Sequence, residues 1–471
     1  MLLITWVALE IAFWFYLYNT KRRFQQYVKP QTLPTKNERQ QLFWNCYHTI
    51  KHDLKKWFEG WFYIASSPDR AHPNFKDIHR DNVATWFAWA FWVEQLDHVL
   101  SNNEWAQEIE WMINTIEKDF DIEFPKGYNE DIQCIRPSFD PVQSLHRPLA
   151  LYLANYVMTC VFNRVLLEWF WQFERGGTDL PGVMWGHLLR PFHHQPPPPT
   201  TTSDTNKFNH LVYWSLVPSA SHKTSREVPI VFVHGIGAGL TVYAEFIHRL
   251  VRLGRPIFCV ELPYVSMRMV EHIPTPEETV REIEMMLTAH GYDEAVIVAH
   301  SLGTAVASWI ANLAPKRVAG LVLVDPICFL LNYHHVAFNM LHRIPKRIIE
   351  YLIHYFASRE LYINYYISRH FQWYQTIFFA HPPSTTSDPP PSPVPPEQQG
   401  PLRNATVFLS ENDAIVDSPL ITKYLYDAGV QARLMRDIGH AEFLVNGQWK
   451  DEIVTEVEKA VSCMEDEGLG L

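Results

Sequence analysis

The sequence predicts an α/β protein whose C-terminal half winds a mostly parallel sheet between two layers of helices, with a helical, aromatic-rich region ahead of it. Short apolar runs alternate with helical patterns: 230–233, 257–260, 295–298, 321–324 and 407–409 are the runs, and 276–290 and 302–313 two of the helices. The runs are continuously apolar, as strands covered on both faces must be, and strands joined by helices make βαβ units. Polar residues with chemical potential stand directly after these runs. Ligands of such sheets sit at the carboxyl ends of the strands.

At 471 residues the chain is longer than one core usually serves, so two structural regions are expected. A hydrophobic fraction of 47% and 17 Trp suggest a bilayer or lipid nearby. The net charge of −11, with no long Lys/Arg run, excludes a nucleic-acid footprint. The cysteines, Cys46, Cys134, Cys160, Cys259, Cys328 and Cys463, form no CxxC or close pair, which fits reduced structural thiols. Neither a metal nor an organic cofactor is implied: His193-His194 and His334-His335 are adjacent pairs without the spacing of helical zinc ligands.

Along the chain, residues 2–18 are apolar but for Thr5 and Glu10, and Lys21, Arg22 and Arg23 follow. Residues 1–20 read as an uncleaved, single-pass membrane anchor, with the basic flank keeping the remaining chain in the cytosol. The stretch is short of the roughly 20 residues a span needs, and Glu10 would cost about 2–3 kcal/mol in the bilayer. An amphipathic or buried helix is the alternative. Residues 37–190 show helical periodicity and no sheet alternation. Within them 147–172 is a second apolar helix with Pro148 in its first turn; Asn155, Asn163, Arg164 and Glu168 favour a helix packed on the domain or lying at an interface over a span. A Pro/Thr-rich linker, 192–207, leads to the catalytic domain at 209–465. That domain carries an insertion at 327–400, whose Pro-rich part, 382–400, reads as a surface segment.

Ala299-His300-Ser301-Leu302-Gly303 follows a strand and opens a helix, the context of a nucleophile elbow, with Ala299 in place of the usual first glycine. A serine nucleophile needs a base, and the base an orienting carboxylate. After the run ending at Leu409 comes Asp413, and after the strand-like run 432–438 comes His440. Glu411, Asp417 and Asp325 compete for the acid; Asp417 also reads as an N-cap and Asp325 as a strand-terminating turn. The turn His234-Gly235-Ile236-Gly237-Ala238-Gly239 lacks both the dinucleotide and the Walker spacing. His48 and Asp53 share the H-x4-D spacing of some acyltransferases in a polar helical stretch, where coincidence is the plain reading.

Together these motifs resemble the α/β-hydrolase superfamily over about residues 209–465. Asp413 matches the acid of its D-x-I-V pattern and His440 the base of its G-H-A-E-F pattern. The resemblance implies an oxyanion hole from the backbone N–H groups of Ile236 and Leu302, with His234, Gly235, Gly237 and Gly303 supporting the loops. It also implies that the insertion 327–400 is a lid over Ser301. The insertion is dense in aromatics, from Phe329 and Tyr333 to Trp373 and Phe379. They suit an apolar acyl ligand and equally suit packing against the N-terminal helices, while Lys346, Arg347, Arg359 and Arg369 could meet anionic headgroups. The expected function is cleavage of a carboxylic ester, lipid-like, through an acyl-enzyme. Acyl transfer or thioester cleavage by the same triad, and a non-catalytic membrane-tethered binding protein, are the competing readings. Oligomeric state is not legible.

Overall fold

The computed structural model describes residues 1–51, 53–178, 209–217 and 227–467. The expected linker at 192–207 and the pair His193-His194 lie outside them. Strands β3 (Glu174–Gly177), β4 (Val212–Leu216), β5 (Ile230–Val233), β6 (Ile257–Glu261), β7 (Ala295–His300), β8 (Val318–Val324), β9 (Ala405–Ser410) and β10 (Gln431–Met435) form one sheet in the order β10-β9-β8-β7-β5-β6-β4-β3. Strands β5 to β10 pair in parallel, and β4 and β3 close one edge antiparallel. The chain leaves β5 to one side for β6 and returns on the other side for β7. That is the topological switch point, where the crevice beyond the strand ends opens.

Alternate residues of each strand face opposite layers. Val231 and Val233 join a core with Val260, Ile297, Val306 and Ile310. Ile230 and Phe232 face Phe246, Ile453, Val457 and Val461 on the other side. The helix Pro276–Ala289 begins with a capping box between Thr275 and Glu278 and a proline in its first turn. The helix Gly303–Leu313 is buried from Gly303 to Ala311 and packs against β7 and β8.

The N-terminal region shares its interior with the sheet. Trp57, Phe58, Phe87 and Phe91 belong to the same continuous core as Val231 and Ile297. Helix α1 is Leu2–Phe24, α2 Lys36–Ile50, α3 Leu54–Gly60 and α4 Arg80–Trp92. Ten residues of α4 are buried around its whole circumference, so its aromatic run Trp86-Phe87-Ala88-Trp89 is interior packing. The expectation of a purely helical region is corrected in two places: β1 (Phe62–Ile64) pairs with β2 (Ile132–Cys134), and β3 leaves the region to join the main sheet. Strands of three or four residues are too short for alternation to be read.

The insertion at 327–400 folds into short helical segments wedged against those N-terminal helices. The indoles of Trp57 and Trp61 donate to the Asn332 carbonyl, Tyr333 donates to that of Thr49, and the Trp373 indole to that of Ala90. Its aromatics therefore pack largely on the N-terminal region. Arg359 and Arg369 are buried, contrary to the headgroup expectation; Arg369 donates to the carbonyls of Pro137, Ser138 and Asp140. Lys346 and Arg347 remain exposed. His48 hydrogen-bonds Ser384 and the Thr386 carbonyl, which seats the Pro-rich segment on α2.

A buried ion pair joins α2 to the helix Asn103–Asp119: the Arg39 guanidinium donates to both oxygens of Glu108 at 3.2 and 2.6 Å and lies over the Trp92 ring. Arg39→Met strands the Glu108 carboxylate in a dry core and is expected to lower unfolding free energy by about 3–5 kcal/mol, with Arg39→Met/Glu108→Met recovering part of the loss. Urea unfolding followed by tryptophan fluorescence checks this.

Candidate active site

Ser301 sits where β7 passes directly into the helix Gly303–Leu313, with φ at +51°, a backbone region that side chains other than glycine seldom adopt. Its N–H donates to the Val324 carbonyl at 2.9 Å, so the neighbouring strand holds the turn. A Cβ on Gly303 would stand 2.3 Å from the Val233 carbonyl oxygen, and one on Gly235 2.8 Å from Ser301 Cβ. Both glycines are thus required by close approach. Ala299 lies inside β7 opposite Val233 and Leu323, where a methyl group is an ordinary strand side chain, so the departure from glycine there meets no obstacle.

His440 follows β10 and Asp413 follows β9, neighbouring parallel strands whose carboxyl ends point the same way as that of β7. His440 Nε2 stands 2.8 Å from Ser301 Oγ and His440 Nδ1 2.7 Å from Asp413 Oδ2. Asp413 Oδ1 accepts the N–H groups of Ile415 and Val416, which orients the carboxylate. A carboxylate can only accept, so Nδ1 carries the proton and Nε2 is left to accept from the Ser301 hydroxyl. Glu442 reaches back to accept the Gly439 N–H at 2.7 Å, fixing the turn before His440. The rival acids are engaged elsewhere: Asp417 caps the helix Ser418–Asp427 through the Leu420 N–H, and Glu411 pairs with Arg436.

Asp325 is more than the end of a strand. It is fully buried, and its two oxygens accept the N–H groups of Ser410 and Ala441 at 2.8 and 2.9 Å. One carboxylate therefore ties the loop carrying Asp413 to the loop carrying His440. Asp325 and Ala441 share positive φ, +46° and +66°, with Ser301, so backbone strain gathers at this point of the molecule. His300 Nε2 lies 3.8 Å from Asp325, and His300 Nδ1 accepts from the Tyr243 hydroxyl at 2.7 Å, which in turn accepts the Gly235 N–H at 3.0 Å. Burial pushes His300 down and keeps it neutral. The glycine-rich turn is thus hydrogen-bonded to the serine elbow through Tyr243 and His300, and the loops of the acid and the base are hydrogen-bonded to each other through Asp325. Sequence reasoning missed Tyr243 and His300; His300 stands beside the serine in the motif, but Tyr243 carries no local signal.

His234 Nδ1–H donates to the Gly235 carbonyl at 2.7 Å, and its Nε2 accepts the Leu262 N–H at 2.9 Å. Burial pushes its pKa down to about 4, so it is a neutral brace. The Gly237 N–H donates to the Val265 carbonyl. The N–H groups of Ile236 and Leu302 donate to no described residue and remain available to a ligand. The insertion closes on the acid loop: Arg343 donates to the Ala414 carbonyl and Asn339 to that of Ile415. Between them lies a cleft of about 290 Å³ lined by Asn339, Arg343, Glu350, His354, Ala414 and Ile415.

Among the described residues, Asp325, Asp413 and His440 are the one cluster with metal-type donors close together. Their atoms are already engaged with one another, with Ser301 and with backbone N–H groups, so the set reads as a hydrogen-bonded relay. Burial depresses the His440 imidazole, but the carboxylates of Asp413 and Asp325 outweigh it and raise the pKa to about 9.

Residues 228–347 match the family model described as alpha/beta hydrolase fold. The chain is 30% identical over 118 residues to the Sus scrofa protein named 1-acylglycerol-3-phosphate O-acyltransferase ABHD5, covering 24% of this chain and 33% of that protein, and the Homo sapiens protein of that name matches to the same extent. A Caenorhabditis elegans protein, abhydrolase domain-containing protein abhd-5.2, is 30% identical over 103 residues, 21% of this chain and 23% of its own. The match thus spans about a third or less of these relatives' length. Similar solved structures include a carboxylesterase of Nitrososphaera gargenis, at 15% identity and TM-score 0.37 over 55% of this chain and 98% of that one. Another is the carboxylesterase CesB of Bacillus subtilis, at 10% identity and TM-score 0.36 over 65% and 98%. Such likeness carries nothing about substrate.

An imidazole must be neutral to accept a proton, so the rate of Ser301 modification by a fluorophosphonate is expected to rise with pH to a midpoint nearer 9 than 6.5. Removing one of the two negative charges in Asp325→Asn is expected to move that midpoint down. A pH series of modification rates for the two proteins checks the sign.

Proposed function

We propose that this protein, which carries an α/β-hydrolase fold, is a serine hydrolase that cleaves a carboxylic ester with an apolar, lipid-like acyl group. The observation that carries the reading is the unbroken line from Asp413 through His440 to Ser301, with hydrogen-bond distances of 2.7 and 2.8 Å. His440 Nε2 takes the Ser301 proton as Oγ attacks the carbonyl carbon, and Asp413 stabilises the imidazolium through Nδ1–H. The N–H groups of Ile236 and Leu302 receive the oxyanion, each worth roughly 3 kcal/mol in the transition state by analogy with other hydrolases. The tetrahedral intermediate collapses, and the leaving alcohol departs with the proton from His440. Water, deprotonated by the same Nε2, then attacks the acyl-enzyme and releases the acid. Asp325 acts as a positioning residue that holds the acid and base loops together and adds negative charge beside the imidazolium.

Acyl transfer is the second reading, because the partly matching relatives carry an acyltransferase name. The two chemistries diverge only at deacylation, where an acceptor hydroxyl replaces water. Helix α1, with its apolar residues and basic end, fits membrane attachment of the chain and with it a lipid-like substrate.

Ser301→Ala and His440→Ala are expected to abolish fluorophosphonate labelling of the detergent-solubilised protein and to lower ester turnover by at least about a thousandfold. Equal labelling of wild type and Ser301→Ala would mean another nucleophile. Incubation with a labelled acyl ester, with and without a lysophospholipid acceptor, separates free acid from transferred acyl product.

A further inference from the structure

Among the described residues two helices are long and apolar enough to cross a membrane, Leu2–Phe24 and Leu149–Phe170, yet the folded chain withholds most of both from that role. At 1.5 Å per residue the 23 residues of α1 would reach about 34 Å, enough for the roughly 30 Å of hydrocarbon. From Phe13 onward, however, its inner face is occupied: Phe13, Leu17 and Phe24 are buried with Val142, Met269, Leu361 and Tyr362. Glu10 accepts the N–H groups of Leu149 and Ala150, so its carboxylate caps the second helix. Only Leu2 to Leu9 stands clear, about 12 Å of helix. The second helix, α7 (Leu149–Val161) with its continuation Phe162–Phe170, is likewise tied down. Asn155 donates to the carbonyls of Ser266 and Met267, Asn163 to Glu261, and Phe162 and Leu167 enter the core.

What these helices leave outward is apolar and ordered. On α1 the exposed residues Ile4, Val7, Ile11, Trp14, Phe15 and Tyr18 follow helical spacing, and Leu153, Val157, Val161, Val165 and Trp169 do so on the second helix. The insertion adds a third stripe, Ile348, Tyr351, Leu352 and Phe356. Contacts bring the stripes' elements together: Phe13 meets Tyr152, Tyr16 hydrogen-bonds Tyr362, and the Arg147 guanidinium, two residues ahead of the second helix, lies over Tyr355. Cations border them, with Arg22 at the end of α1 and Lys346 and Arg347 beside Ile348, while Arg23 is held by Glu271 and Arg347 also pairs with Glu350. Apolar exposure on this scale is uncommon in soluble monomers.

We infer that α1, the helix 149–170 and the stripe 348–356 of the insertion form one face that docks into a single leaflet of an anionic bilayer, without crossing it. Leu2 to Leu9 is the inserted wedge, and the cations meet headgroup phosphates. This rests on membrane attachment as read above and replaces a spanning anchor by a surface mode. The docked insertion is the segment that contacts the acid loop through Arg343 and Asn339, so that loop lies on the insertion's side of the molecule.

The full-length protein, carrying a short protease-cleavable tag ahead of Met1, is bound to sealed vesicles of phosphatidylcholine with one-fifth phosphatidylserine and separated by flotation. The tag is expected to stay cleavable by external protease with the vesicles intact. Protection of the tag until detergent is added means a span and overturns the proposal. Ile348→Asp/Leu352→Asp, which leaves α1 untouched, is expected to weaken vesicle binding at least tenfold while fluorophosphonate labelling in detergent stays at the wild-type level. Unchanged binding removes the insertion from the face. Failure of the wild type to float, with a dimer by light scattering, assigns the face to a second copy of the chain and overturns membrane attachment itself, leaving the serine chemistry to its own assay.

Discussion

A parallel sheet buried on both faces can meet water and ligands only at the ends of its strands, and the rest of this molecule follows from that constraint. Residues of β5 to β8 are almost without solvent contact, so a polar group there must pair or be excluded. Parallel pairing sends every carboxyl end in one direction. Ser301, Asp325, Asp413 and His440 therefore gather on one rim although 139 residues separate the first from the last. The switch between β5 and β7 then puts the glycine-rich turn beside the serine, where any larger residue than glycine at 235 would collide with it.

Within that rim the four loops are not independently placed. Asp325 is the joint: two N–H groups from two loops converge on its oxygens, while beside it Tyr243 links His300 to the turn at Gly235. The left-handed backbone at Ser301, Asp325 and Ala441 costs energy that only such over-determination can hold in place. The same carboxylate adds to the field that raises His440, so loop geometry and proton affinity depend on one group.

The aromatic wealth of the chain divides between two fates. Most of it is core: the tryptophans of α3 and α4 and the rings of the insertion interlock, which makes the N-terminal helices and the sheet share one interior. The remainder lies outside on α1, on the helix 149–170 and at 348–356. Composition alone cannot separate these fates, because a tryptophan facing a core and one facing a bilayer have the same hydropathy.

Much of the α/β-hydrolase fold was legible in the sequence, since buried parallel strands demand continuous apolar runs and βαβ units demand helices between them; five strands of the sheet announced themselves in this way. Ser301, Asp413 and His440 were legible for a related reason: each follows such a run, in the chain order this chemistry uses. The edge strands β3 and β4 and the pair β1 and β2 were not, because too few residues alternate. Nor were Asp325 as a joint, Tyr243 as a link, the burial of Arg359 and Arg369, or the Glu10 cap on a helix 139 residues away. The sequence by itself determined the periodicities and the local turns, which depend on neighbours a few residues apart. Only the tertiary structure decided which polar groups meet and which apolar faces stay uncovered, because those depend on contacts between segments whose separation along the chain leaves no local trace.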